Sequence, residues 1–71
     1  VLIARERLRD AHDTLAGLGE RVALVFRRFR IDGESQRDIA QDLGISLSAV
    51  EKDLQKAYRA LLALRSRDDA E

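Results

Sequence analysis

With 71 residues the chain has room for one domain, because single cores usually need roughly 100–150 residues, so a two-domain arrangement is excluded. It has no cysteine, and one histidine, His12, cannot hold zinc alone, so disulfide frameworks and thiolate metal sites are excluded and no cofactor is expected. Thirteen basic residues balance thirteen acidic ones, without the basic excess usual in nucleic-acid binders. Residues 66–71 hold three of those acids and one of the bases, however, which leaves 12 bases against 10 acids in residues 1–65.

The absence of proline, the presence of only four glycines and a 45% hydrophobic content predict an all-α chain. Val1, Ala4, Leu8, Ala11, Leu15 and Leu18 recur at spacings of three and four, which places a first helix over about residues 2–16. Gly17 and Gly19 interrupt that pattern. Val22, Val25, Phe26 and Phe29 restart it and predict a second helix from Glu20 to Arg30. Asp32-Gly33-Glu34 reads as a turn, and Ser35 with Asp38 three residues on resembles a capping box, opening a third helix over about 35–43. Gly44 suits a left-handed helix end, and Ser46 is placed to cap a fourth helix whose apolar stripe, Val50, Leu54, Ala57, Tyr58 and Leu61, runs unbroken to about Arg65. Residues 66–71 are expected to be a frayed acidic tail after a 1–65 domain.

The third and fourth helices, joined by about three residues with Ala40 facing the partner helix and Gly44 in the turn, fit a helix-turn-helix plan as well as any tight αα-hairpin. The helical wheel of the fourth helix favours DNA. With Val50 at zero and about 100° per residue, Leu54, Ala57, Leu61 and Tyr58 cluster on one side, while Ser48, Lys52, Gln55 and Arg59 fall near 160°, 200°, 140° and 180°. Lys56 lies beside that face near 240°, with the acids Glu51 and Asp53 at its flanks near 100° and 300°. Lysine suits guanine acceptors, glutamine pairs with adenine, and a short serine allows close approach to the major groove. Phosphate contacts are expected from Gln36 and Arg37, with Arg27, Arg28 and Arg30 as further candidates.

The string Glu34-Ser35-Gln36-Arg37-Asp38-Ile39-Ala40-Gln41-Asp42-Leu43-Gly44-Ile45-Ser46, followed by Ala49-Val50-Glu51-Lys52, resembles region four of bacterial sigma factors, most closely the extracytoplasmic-function factors of the iron-starvation type. Leu15, Leu18, Glu20-Arg21, Val25-Phe26 and Arg27-Arg28 extend the likeness over nearly the whole chain, although Gly19 stands where the family often has proline. The resemblance implies a domain that reads the −35 element of double-stranded promoter DNA while docked on the β flap of RNA polymerase core, supporting transcription initiation. It implies DNA contacts from Ser46, Ser48, Glu51, Lys52, Gln55 and Lys56. Glu51 departs from members with a basic residue there and suits a cytosine amine as its hydrogen-bond donor.

Docking on polymerase or on an anti-sigma factor should use apolar side chains that the core does not need. Leu24, about 200° around its helix from Val22, and Leu62, about 120° from the core line of the fourth helix, fit that description.

Two other readings are open at this point. One is the DNA-binding output domain of quorum-sensing or two-component regulators, whose recognition helix normally ends within about ten residues. The other is a helical protein-interaction module docking on an anti-sigma factor or a receptor. An enzyme is not expected, since His12, Asp10 and Asp13 come with no nucleophile, phosphate loop or metal spacing, and no small-molecule substrate follows from so small a chain. No apolar run approaches the roughly 20 residues that span a bilayer, so no membrane insertion and a bacterial cytoplasmic location are expected. The start at Val1 suggests a piece of a longer protein, and the resemblance implies that the missing N-terminal part holds the domain that melts the −10 region.

Overall fold

A computed structural model describes the backbone of residues 2–70 and the side chains of Glu6 and of residues 8–65. Four helices follow one another: α1 (Leu2–Ala16), α2 (Glu20–Arg30), α3 (Gln36–Leu43) and α4 (Leu47–Ala70), with no strand among the described residues. The first three match the predicted spans closely. The fourth runs five residues past its predicted end at Arg65, because Ser66 to Ala70 contains neither proline nor glycine to stop it. The reading of residues 66–71 as a frayed tail falls on side chains outside the described residues.

The caps explain the boundaries. Ser35 Oγ accepts from the backbone N–H of Asp38 at 3.1 Å, which satisfies one orphan amide at the start of α3. Gly44 ends the helix at φ 67°, and the N–H groups of Gly44 and Ile45 reach back to Gln41 and Ala40, a Schellman closure that only a residue tolerant of positive φ completes without strain. Ser46 Oγ then accepts from Ala49 N–H at 3.1 Å and starts α4. The three residues between α3 and α4 therefore form a closed, hydrogen-bonded turn that fixes the angle between the two helices.

The core lies where α2, α3 and α4 meet. Val25, Ile39, Ala40, Val50 and Leu54 form its buried centre, with Phe26, Phe29, Leu43, Ile45 and Tyr58 packed around them. Phe26 and Tyr58 meet edge to face across α2 and α4, with ring centroids 5.8 Å apart. Ala40 is small and buried at the helix crossing, and Val50 is buried beside Ile39, as the helix-turn-helix plan requires.

The first helix is held less tightly. Ala11 and Leu15 are half-buried, whereas Leu8 is 72% exposed and Leu18, beyond the helix end, is also exposed. Among the described residues, its predicted apolar stripe is thus only partly covered by the rest of the domain. Among the described residues no helix is long and apolar enough to cross a membrane.

Candidate nucleic-acid interface

The second helix of the helix-turn-helix, α4, carries outward the polar, basic face expected to contact DNA. Ser48, Glu51, Lys52, Gln55, Lys56 and Arg59 are all exposed, and the opposite side of the same helix buries Val50, Leu54 and Ala57. The described ion pairs engage none of Lys52, Lys56 and Arg59, so their charge is available to an outside partner. Ser46 belongs to the turn and to this face at once: its oxygen caps α4, while its hydroxyl proton remains free to donate. At the start of α3, Arg37 is exposed and Gln36 half-buried, at the helix N-terminus where backbone amides and the helix dipole favour an anion.

The arginines of α2 divide differently from expectation. Arg28, a candidate phosphate contact by sequence, is only 16% exposed and is held between two carboxylates. Its Nε and Nη2 donate to Glu34 at 2.7 and 2.6 Å, and its Nη1 donates to Asp42. This revises the sequence expectation, because a guanidinium so engaged and so little exposed ties the end of α2 to the following turn and to α3, with its charge already matched by two carboxylates rather than offered to a phosphate. The hydrogen bonds to Glu34 and Asp42 raise the Arg28 pKa further above its already high value, and the hydrogen bond from Arg28 lowers that of Glu34. A depressed carboxylate stabilises the fold above its unfolded pKa, and that contribution is lost as pH falls through the folded value, so this staple loosens only in acid. Arg27 and Arg30 are exposed, and Arg27 borders the groove between α1 and α2.

Asp53 is the second correction. The wheel placed it at the flank of the reading face, yet it is 1% exposed and gripped by Arg21 of α2, with Nε to Oδ2 at 2.8 Å and Nη2 to Oδ1 at 3.1 Å. The hydrogen bond and the charge of Asp53 raise the pKa of Arg21. The sequence did hold a signal for it. An angle near 300° is about 40° from Ala57 on the core side, and an acid there has to find a cation. With Asp53 turned inward, Glu51 is the acid left beside the reading donors.

The two apolar candidates for docking occupy different settings. Leu62 stands 60% exposed on α4. Leu24 is half-buried and lines an open groove of about 550 Å³ between α1 and α2, with Leu8, Leu15, Ala23, Phe26 and Ile31. Ile31 is 74% exposed at its rim.

Compared with known proteins, the chain matches a family model described as sigma-70, region 4, over residues 8–61. No curated protein and no solved structure matches it.

Proposed function

The chain belongs to the sigma-70 region 4 family, and from that premise we propose that it is the −35-reading domain of an extracytoplasmic-function sigma factor of the iron-starvation type, acting in the bacterial cytoplasm. Sigma region 4 is a DNA-binding family of transcription initiation rather than an enzyme family, and reading of the −35 promoter element is its general role. One observation carries the assignment to named residues: α4 exposes Lys52, Gln55, Lys56 and Arg59 on one face, outside every described ion pair, at the end of a capped helix-turn-helix.

In this reading the N-terminal half of α4 enters the major groove. Lys52 and Gln55 address base edges, Ser48 permits close approach, and Glu51 accepts from a cytosine amine. Lys56, Arg59, Ser46, Gln36 and Arg37 hold phosphates and set the register. Residues 1–65 make up the working domain, with 66–71 as its acidic tail.

Duplex binding followed by fluorescence anisotropy at rising salt tests this. Of the five residues assigned to phosphates, the three cations Lys56, Arg59 and Arg37 release counterions, which gives a slope of log affinity against log salt of roughly −3, at about −0.9 per neutralised phosphate. A slope near zero, or no binding at low salt, would contradict the reading.

The α1–α2 groove supports the second half of the role. It is proposed as the seat of an apolar element of the polymerase β flap, with an anti-sigma factor as its competitor and Leu62 as an outlying contact. Leu24→Glu places a carboxylate in that groove. It is expected to leave duplex affinity within about twofold while weakening capture of purified core polymerase by tenfold or more, since burying an unpaired charge is costly. Unchanged capture of polymerase would remove the groove from the docking surface.

A further inference from the structure

We propose that Arg21 and Asp53 are positioning residues for base reading, an inference that rests on the DNA-reading face proposed above: their ion pair fixes the rotation of α4 about its own axis and so aims Lys52 and Gln55. Asp53 is the buried charged side chain among the described residues, at 1% exposure, and both its oxygens are bound by one guanidinium. The partners lie 32 residues apart, one on α2 and one on α4. Asp53 follows Lys52 directly and precedes the core residue Leu54, so it sits at the junction between reading face and core.

Stability alone does not account for such a pair. Asp53 is buried while the Arg21 side chain stays 54% exposed, and such a pair usually contributes little to stability, because taking the carboxylate out of water offsets most of its attraction to a guanidinium that solvent still reaches. What the pair adds is direction. Val50, Leu54 and Ala57 hold α4 by apolar contacts, which are non-directional and tolerate small rotations of the helix. A planar guanidinium facing a planar carboxylate through two parallel hydrogen bonds tolerates them poorly.

The geometry sets the consequence. With side chains an α-helix has a radius of about 6 Å, so a rotation of about 20° moves an outer tip by about 2 Å. A hydrogen bond to a base edge holds over a range of only about 0.5 Å. Phosphate contacts from long lysine and arginine side chains adapt to such a shift, whereas base contacts do not. Loss of the pair should therefore damage discrimination between sequences more than affinity for DNA in general.

The test uses two duplexes, one selected from a random pool by the wild-type chain and one of the same length and composition with the order scrambled. Two variants are compared with wild type: the double replacement Arg21→Met with Asp53→Leu, which conserves net charge, and Arg21→Lys, which keeps the cation but loses the fork. Thermal unfolding and amide NMR spectra report the fold of each. Both variants are expected to stay folded, to bind the scrambled duplex within about twofold of wild type, and to lose about tenfold in their preference for the selected duplex.

Preference unchanged in the folded double variant would overturn the proposal. So would a parallel loss of stability and preference in the double variant with full recovery of both in Arg21→Lys, since a merely structural bridge needs only the charge. If the wild-type chain selects no duplex at all, it is the underlying DNA-reading assignment that fails. If it selects one and the variants keep its preference, only the positioning role fails.

Discussion

Lys52→Ala is expected to lower affinity for a −35 duplex by tenfold or more while leaving helix content and thermal unfolding unchanged, measured by anisotropy and circular dichroism on the same sample. Lys52 is exposed near the centre of the outward face of α4, about 160° from the buried line through Leu54, so its removal takes nothing from the core. The loss follows from what a lysine does at a base edge: a good contact to guanine acceptors is worth about 1–3 kcal/mol, which corresponds to about five- to 150-fold. It should also be sequence-dependent. Lys56→Ala, by contrast, removes a phosphate contact and should weaken binding to every duplex alike, reducing the salt slope by about one. A Lys52→Ala variant that binds as wild type does, with the fold intact, would remove α4's outer face from DNA reading.

The largest effect on stability is expected at Ile39. Its side chain is fully buried where α3 meets α2 and α4, and it is among the largest of the fully buried side chains. Truncating such an isoleucine to alanine costs about 2–5 kcal/mol, from lost transfer energy and from the cavity left behind. A domain of this length has roughly 4–10 kcal/mol of stability in all. Ile39→Ala should therefore lower Tm by roughly 10–30 °C and leave much of the chain unfolded near body temperature. DNA binding would fall with it, but in proportion to the unfolded fraction, and would recover on cooling. That recovery separates a core residue from a reading one. An unchanged Tm in a scanning calorimeter would mean that the helix-turn-helix is not packed on this core.

Much of the fold was legible because local chemistry marks its joints. Gly19 and Gly44 adopt positive φ at helix boundaries, and Ser35 and Ser46 cap the helices they precede. The α4 side of the helix-turn-helix core was legible for the same reason, since Val50, Leu54 and Ala57 follow a period that one helix face imposes. The length of α4, which separates this domain from the shorter recognition helices of regulator output domains, was visible as an apolar stripe without a breaker.

The long-range ion pairs were not legible. Arg21 meets Asp53 across 32 positions and Arg28 meets Asp42 across 14, and no periodicity within one helix points at a partner in another. The same blindness affected the exposed leucines. A wheel ranks residues around one axis but does not say which neighbour covers them, so Leu24 looked like a solvent-facing side chain and proved to line the α1–α2 groove. The outward donors of α4 were legible as a face; what the structure adds is that the nearby acid Asp53 is withdrawn from it and that α2's Arg28 is committed elsewhere.

The most direct test of α4 as a DNA reader is an amide NMR titration of the chain with a short duplex carrying a −35 element, at low salt. Shifts centred on Ser48, Lys52, Gln55 and Arg59, with weaker ones at Arg37 and Ser46 and a fading response as salt rises, are the predicted result. Shifts confined to the α1–α2 groove around Leu24, or none at high DNA excess, would contradict it.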